Sequence, residues 1–282
     1  MKDRAGQTEM ESLCGAIEGL CELRVSIDPL STSSGDIFLD GTFESAAYPR
    51  HLAHLKTAAF VRSVIENRVC SDDQEGNETM KVLLINGSPH PEGCTFTALK
   101  EIEEQLKKGE IETEIFQLGI GPIRGCTACG WCKNGGGRCV YDDDPVNRVL
   151  EIAEACDGFV FGSPVYYASA AGAMVALLDR CFYAGSRFFA FQPGAAIVSA
   201  RRAGTSAALE VLNKYIVYNN MPMVPSRYWN MVHGSNAEQA KQDEEGMQIM
   251  RQLGRNMVWL MRALEHAELP ELESQLYTNF IR

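Results

Sequence analysis

Four cysteines in the middle of the chain have the spacing of metal ligands. They form the pattern C-x2-C-x2-C-x6-C, and are Cys126, Cys129, Cys132 and Cys139. Three thiolates in close succession, with a fourth beyond a glycine turn at residues 135–137, match the compact ligation of a cubane iron–sulfur cluster. The spacing therefore predicts a [4Fe-4S] cluster. A zinc clip and reduced thiols without metal are the alternatives.

A second candidate site is a loop that joins a strand to a helix. Lys81–Asn86 is a short run of β-branched and leucine residues, typical of a central strand in a parallel sheet. The loop that follows contains Gly, Ser and Pro, and leads into a helical pattern with Thr95 and Thr97 in its first turn. Free backbone N–H groups at a helix start suit a phosphate, and the hydroxyls of Ser88, Thr95 and Thr97 add donors. The P-loop and dinucleotide fingerprints are absent, and an ordinary βα turn is the alternative.

From Met80 onward, predicted strands and helices alternate regularly, and these elements must position the two candidate sites. After the first strand, further strands are predicted at Ile111–Leu118, Asp157–Ser163, Gly194–Ala200 and Met221–Val224. Helices are predicted to begin near Thr95 and at Val146–Cys156, Ser169–Tyr183, Thr205–Tyr218 and Ala237–His266. This order predicts an α/β fold: a flavodoxin-like doubly wound five-stranded parallel sheet of order 2-1-3-4-5, with an N-terminal appendage.

The first 79 residues differ from the rest. They show weak strand-like alternation, one better helix at Pro49–Val69, and a polar linker at Ser71–Thr79. We therefore predict an appendage at residues 1–79, before a flavodoxin-like domain at 80–282 that contains the cysteine-rich loop 126–139 and a long C-terminal helix. The appendage is either a small α+β unit or an extension with little fixed structure.

The sheet order predicts which loops form the ligand site. The loops after strands one, three and four face one another in such a sheet, and contain Ser88–Thr97, Ser163–Ala168 and Arg201–Thr205. Tyr166 and Tyr167 offer an aromatic wall for a flat ring, and Arg201, Arg202 and Gly204 lie near the same place. A phosphate at one end and a flat ring at the other predict FMN. The alternative is that the two tyrosines pack at a strand end.

Composition narrows the class of protein. The net charge of -11 over 282 residues argues against a nucleic-acid partner. No apolar N-terminal segment and no run of membrane-spanning length is present, so we expect a cytoplasmic protein without a membrane partner. The clustering of four of the ten cysteines indicates metal or redox chemistry rather than disulfides.

Four stretches together resemble the NAD(P)H-dependent FMN reductase and iron–sulfur flavoprotein family of flavodoxin-like enzymes. They are NGSPHPEGCTFTAL, the cysteine run, SPVYYASAAGAMVALLDR and WNMVHGSNAEQAKQDEEGMQIMRQLGRNMVWLMRAL. The resemblance covers about Met80–Leu264. It implies that the FMN phosphate is held by Ser88, His90, Gly93, Thr95 and Thr97, and that the isoalloxazine is lined by Pro164, Val165, Tyr166 and Tyr167. It also assigns the cluster motif to Cys126, Cys129, Cys132 and Cys139. With the neighbouring Cys94 and Phe96 and the third loop, the predicted FMN contacts are Ser88, His90, Gly93, Cys94, Thr95, Phe96, Thr97, Pro164, Val165, Tyr166, Tyr167, Arg201 and Gly204.

The resemblance implies a flavin oxidoreductase whose cofactor carries the chemistry, so no catalytic side chain is predicted. With a cluster, a ferredoxin-like donor would pass electrons through it and FMN. Without one, NAD(P)H would reduce a quinone, nitro or similar small acceptor. The resemblance also implies a homodimer or homotetramer. The alternatives are a non-enzymatic electron shuttle or redox sensor, and a zinc-stabilised binding module.

Overall fold

Strands and helices alternate along the part of the chain that the structure describes. The computed structural model describes residues 79–133, 137–271, 273, 276 and 278. The predicted appendage up to residue 78, and two of the three glycines of the cysteine-loop turn, lie outside the described residues. The elements are β1 (Lys81–Asn86), α1 (Cys94–Lys108), β2 (Glu112–Gln117), a 3₁₀ turn (Trp131–Lys133), α2 (Val146–Ala153), β3 (Gly158–Tyr166), β4 (Ser169–Ala170), α3 (Gly172–Phe189), β5 (Gly194–Ala200), α4 (Thr205–Tyr218), β6 (Met231–His233), α5 (Ala237–Gln242) and α6 (Glu244–Leu264).

The sheet has the predicted doubly wound arrangement. Its strands lie in the order β2-β1-β3-β5-β6, and neighbours in this path are parallel. The order differs from the predicted 2-1-3-4-5 only through the additional strand β4, a two-residue strand that pairs antiparallel with β3. The predicted flavodoxin-like α/β fold is therefore confirmed.

The sheet is buried on both faces because helices cover each side. Leu83 and Ile85 of β1 pack into one core with residues of α2, α3 and α4. Val82 and Leu84 point to the opposite face and pack into a second core with α1, α5 and α6. Successive side chains of a strand alternate between faces, so an apolar run such as β1 fills two cores at once.

The predicted fifth strand at Met221–Val224 is wrong. Only an isolated bridge forms there, between Met223 and Gly194. Pro222 lies within the segment and Pro225 follows it, and because proline has no N–H to donate, the ladder does not extend. The fifth parallel strand is β6, which lies further along the chain and pairs with the end of β5.

The predicted helix at Ala237–His266 is two helices. They are separated by Asp243, which leaves the helical conformation at φ -74° and ψ 80°. Its Oδ1 accepts the backbone N–H of Gly246 at 3.0 Å, and Oδ2 accepts that of His233 at 2.7 Å. The aspartate thus caps α6, and the acidic first turn that follows complements the helix dipole.

Within the described residues, none of the helices combines the length and apolar character that crossing a membrane requires.

Candidate functional site

The loop between β1 and α1 is held by side chains at the ends of two neighbouring strands. Asn86 donates from Nδ2 to Oε1 of Gln117 at 2.5 Å, and its Oδ1 accepts the backbone N–H of Ser88 at 3.2 Å. Gln117 donates from Nε2 to the carbonyl of Ser88 at 2.7 Å. The Ser88 hydroxyl accepts the backbone N–H of His90 at 3.1 Å, while the His90 side chain is exposed. This network fixes the loop independently of a ligand.

The first turn of α1 has the features of an anion site. Gly93 precedes the helix and offers no capping side chain, and no acidic residue lies in the first turn. The leading N–H groups of a helix have no intrahelical partner and carry the positive end of its dipole. The turn therefore attracts a negatively charged group. Phe96 lies in the same turn and is half-buried.

The polar side chains of the same turn have partners inside the protein. Thr97 donates from Oγ1 to the carbonyl of Gly93 at 3.1 Å, and the buried Thr95 hydroxyl shares a hydrogen bond of 2.8 Å with Oγ of Ser199. Cys94 donates from Sγ to the carbonyl of residue 236 at 3.2 Å, and burial raises the pKa of this thiol. The turn therefore offers a ligand its backbone N–H groups first, while the contacts of Thr95 and Thr97 with a phosphate stay predictions.

The aromatic segment forms a hairpin at the end of β3. This strand is longer than predicted and runs through Pro164 and Val165 to Tyr166, where β4 pairs back onto it. The two turn residues, Tyr167 and Ala168, have φ values of 49° and 57°. Positive φ at both positions is typical of tight hairpin turns, but is strained for residues with side chains. The hairpin leaves the ring of Tyr167 fully exposed.

The loops after β1, β3 and β5 meet, as the sheet order predicts. Gly87 donates its backbone N–H to the carbonyl of Gly162 at 2.8 Å. Gly204 has φ 89°, and a Cβ there would stand 2.8 Å from Cα of Ala168 in the hairpin. Arg201 is exposed in the same third loop. The structure thus brings the three predicted loops to one end of the sheet, while the contacts of individual residues with FMN remain predictions.

All four predicted ligand cysteines line one cavity. Its volume is about 240 Å³, and the four thiols are free. Positive φ values at Ala128 (52°) and Gly130 (72°) turn the loop tightly here, and the N–H of Ala128 lies 3.5 Å from Sγ of Cys126. Burial raises the pKa of the Cys132 thiol, and the negative charges of the other three cysteines would raise it further. The four cysteines thus line one cavity, while their ligation of a metal or cluster stays a prediction.

The arrangement differs from that of a single-ion site. Among the residues that the structure describes, no three His, Cys, Asp or Glu side chains form a group able to hold one metal ion. In a cubane each thiolate binds a different iron atom, so the ligand sulfurs stand farther apart than around one ion. Four cysteine thiolates are the donor set that binds a [4Fe-4S] cluster, so the residues around this cavity fit such a group.

A buried arginine reaches one of these thiols. Arg180 of α3 is 1% exposed, and its Nε–H donates to Sγ of Cys139 at 3.3 Å. Nη1 donates to the carbonyl of Arg124 at 3.2 Å and pairs with the buried carboxylate of Asp144. Nη2 donates to the carbonyl of Tyr141 at 3.1 Å. Burial lowers the pKa of Arg180, but the bonds to Asp144 and Cys139 outweigh it, so the pKa is raised.

The backbone of Cys139 is held separately. The buried side chain of Asn147 accepts the N–H of Cys139 at 2.8 Å and donates to its carbonyl at 3.0 Å. It also donates to the carbonyl of Tyr141 at 3.1 Å and to Oδ1 of Asp142 at 2.9 Å. Cys139 is therefore fixed at both its backbone and its sulfur.

A larger depression of about 520 Å³ lies elsewhere, between α1 and α6. It has a charged lining that includes Glu101, Lys241 and Arg251, and it contains none of the predicted site residues. We therefore assign the chemistry to the cysteine cavity and the three loops.

The segment that carries both sites matches a known family. Residues 80–236 match the family model of the NADPH-dependent FMN reductases. The chain belongs to the NADPH-dependent FMN reductase family. The matched residues of this family member include every predicted FMN contact and all four cysteines. The family resemblance predicted from the motifs is thus confirmed.

Relatives of this FMN reductase family member include two iron–sulfur flavoproteins of Methanocaldococcus jannaschii. One is 28% identical over 194 residues, which are 66% of this chain and 100% of the relative. The other is 27% identical over 186 residues, which are 61% of this chain and 92% of the relative. Among solved structures, RosB with a bound 8-demethyl-8-formylriboflavin-5'-phosphate intermediate gives a TM-score of 0.53 at 14% identity, covering 72% of this chain and 94% of RosB. At that identity the likeness bears on the fold alone.

Several positioning residues were not predicted from the sequence. Arg180 and Asn147 hold Cys139, and Asn86 and Gln117 hold the loop before α1. The one available signal was Arg180, a charged residue within an apolar helical stretch. The asparagines and Gln117 carried no such signal, because polar residues at strand ends and helix starts are common.

Proposed function

We propose that FMN binds at the carboxyl ends of β1, β3 and β5. In this proposal the backbone N–H groups of the first turn of α1 hold the phosphate, and the hairpin with Tyr166 and Tyr167 lies against the isoalloxazine. The uncapped helix start and the close approach of Gly204 to the hairpin support it. His90 and Arg201 are exposed beside these loops and would complement the negative charge of the phosphate.

The cysteine cavity, we further propose, holds a [4Fe-4S] cluster on Cys126, Cys129, Cys132 and Cys139. The grouping of four free thiols around about 240 Å³ supports it. A buried N–H donor directed at Cys139 supports it as well, because a metal-bound thiolate is a stronger acceptor than a thiol. When bound, such a cluster supplies one-electron transfer.

The function that these sites support best is FMN-dependent electron transfer between a ferredoxin-like donor and a small-molecule acceptor. The observation that supports this proposal most directly is that α3 connects the two sites. It begins directly after the hairpin of the proposed flavin site in the sequence, and its residues Arg180, Tyr183 and Ala184 line the cysteine cavity. The side chains bind and orient the two groups and exclude water, and we assign no acid–base residue. We place this activity in the cytoplasm and in a homodimer or homotetramer.

A second candidate is NAD(P)H-dependent reduction of a quinone, nitro or similar compound through FMN alone. The match to the model of the NADPH-dependent FMN reductases favours it. In that case the cysteines would serve as packing thiols, and NAD(P)H would be the direct donor.

The test is anaerobic purification followed by an absorption spectrum, with FMN, iron and acid-labile sulfide quantified. We expect flavin bands and about four iron atoms per chain, as a cubane requires. Turnover with reduced ferredoxin is then compared with turnover with NADPH, using a quinone acceptor.

The matched variants are Cys129→Ser and Cys156→Ser, because Cys156 is buried away from the cavity. The first should lose iron and keep FMN, and the second should keep both. Protein that takes up no FMN would refute the flavin assignment. FMN without iron, combined with NADPH turnover, would favour the second candidate.

A further inference from the structure

We propose that Arg180 is a positioning residue for the cluster ligand Cys139, and that its Nε–H bond to the ligand sulfur raises the reduction potential of a cluster in the cysteine cavity. This inference rests on the proposed function, since it requires a cluster on the four cysteines. It assigns a role to a side chain that lies in α3, outside the cysteine motif.

The guanidinium has no freedom to turn away from the sulfur. Its other donors bind the carbonyls of Arg124 and Tyr141 and the carboxylate of Asp144. These partners lie on the segment that enters and leaves the cysteine loop, so they fix the plane of the guanidinium within that segment. The Nε–H is thereby directed at Cys139 by geometry that exists before a cluster binds.

If Arg180 only stabilised the fold, there would be no reason for its Nε–H to be directed at the sulfur of Cys139. Burying an arginine is costly unless its charge is paired and its donors are satisfied, and Asp144 supplies the pair. A neutral thiol is a weak acceptor for the remaining donor. A metal-bound thiolate is an anionic acceptor, and the same contact then becomes a charge-assisted hydrogen bond. The bond therefore gains most of its strength when Cys139 is ligated.

Cys139 is also the ligand whose position is most completely determined. Asn147 holds its backbone N–H and carbonyl, and Arg180 holds its sulfur. Cys126 and Cys129 are exposed.

The direction of the effect on potential follows from charge. A cluster gains negative charge when it is reduced, and N–H donors to its sulfurs stabilise that state. Asp144 neutralises most of the long-range field of the arginine, so the directed hydrogen bond is the main contribution. Loss of this bond should make the midpoint potential more negative.

The first test compares Arg180→Lys with Arg138→Lys. Lysine at position 180 keeps a positive charge for Asp144 but loses the forked donor set. Arg138 adjoins Cys139 in sequence, yet it is exposed and pairs with Glu151, so it controls for charge and chemistry near the loop. Both proteins are reconstituted anaerobically and titrated by electron paramagnetic resonance.

We expect a more negative cluster potential in Arg180→Lys and faster loss of cluster iron to a chelator, because removing a group that supports a metal ligand typically lowers metal affinity about ten-fold or more. Arg138→Lys should match the wild type in both measurements. Equal potentials and equal iron loss in all three proteins would overturn the inference, while the cluster and the proposed function would stand.

A second measurement uses the unaltered protein and does not depend on the folding of a variant. The protein is labelled with ¹⁵N-arginine, and the reduced cluster is studied by pulsed electron paramagnetic resonance. We expect a ¹⁵N coupling from an arginine nitrogen, unchanged in Arg138→Lys. A cluster without that coupling refutes the Arg180 bond. A wild-type protein with FMN but without iron and sulfide refutes both the cluster assignment and this inference, and leaves the flavin site intact.

Discussion

The contact between Gly204 and the Tyr167 hairpin gives the sharpest test of where the flavin lies. Gly204 has φ 89°, and a Cβ there would stand 2.8 Å from Cα of Ala168, where an ordinary contact is 3.4–4 Å. The change Gly204→Ala therefore adds one methyl group at the junction of two loops that we assign to the FMN site.

The cost has two parts. A side chain in the left-handed region costs about 1–2 kcal/mol. The overlap adds about 1–3 kcal/mol unless the hairpin moves away by roughly 0.6 Å, the shift that restores an ordinary contact. Movement relieves the strain but displaces Tyr167. We therefore expect an FMN dissociation constant at least about ten-fold higher, which corresponds to about 1.4 kcal/mol.

The matched control is Gly119→Ala. Gly119 has a similar φ of 81°, but a Cβ there would meet no atom within 4 Å. Urea unfolding should show the backbone cost in both variants and the additional overlap only in Gly204→Ala. Titration with FMN, monitored by the quenching of flavin fluorescence, then gives the FMN affinities of the two variants.

The decisive quantity is the difference in FMN affinity between the two variants. If Gly204→Ala is destabilised as expected but binds FMN as tightly as Gly119→Ala, the hairpin does not contact the flavin, and our placement of the isoalloxazine is refuted.

Three further predictions follow from buried groups. Asp144→Ala leaves Arg180 buried without its partner, so the free energy of unfolding in urea should fall by about 3–5 kcal/mol; a fall below about 1 kcal/mol contradicts the pairing. Asn147→Ala removes both backbone bonds to Cys139 and should cost about 1–3 kcal/mol, with faster loss of iron to a chelator. Burial raises the pKa of Cys156 from 9.0 to about 11, so the folded state keeps a proton that the unfolded state releases. Stability should therefore fall between pH 9 and about 11, and Cys156→Ser, which keeps the bond to the carbonyl of residue 152, should flatten that fall; identical pH profiles would contradict it.

The predictions that agree with the structure depended on local sequence patterns, namely apolar runs and the spacing of cysteines. The apolar run of β1 predicted a strand buried on both faces, and its two sets of alternating side chains do fill two cores. The cysteine spacing predicted that the four thiols lie near one another, because residues three and seven positions apart can turn back on one site, and the four cysteines do line one cavity. The fifth strand was misplaced because Met221–Val224 is apolar, as a buried strand would be. Pro222 and Pro225 limit the hydrogen bonding of this segment to the sheet, because they lack N–H donors, and a pattern of hydropathy does not show that effect.

The positioning of the site depends on contacts that the sequence pattern does not contain. Arg180 and Cys139 are 41 residues apart, and Gln117 is 31 residues from Asn86. Each pair meets only because the sheet order and the helix packing bring distant segments together. Thr95 shows the same dependence, because its hydroxyl, which was predicted to contact a phosphate, also shares a hydrogen bond with Ser199, 104 residues away. A hydroxyl has several partners within reach in a fold, and the sequence does not rank them.

Helix α3 explains how two sites built largely from loops keep a fixed relation. It begins two residues after the hairpin strand β4 and reaches the cysteine cavity at Arg180, about 12 Å along its axis at 1.5 Å per residue. Phe182 and Phe189 of α3 stack at 4.6 Å and pack with Phe161 of β3, so the helix is anchored to the sheet. Groups positioned from a packed helix are held more precisely than groups positioned from loops. If electrons pass between FMN and a cluster, as we propose, α3 gives both sites a common packed support, and its length contributes to the separation on which the transfer depends.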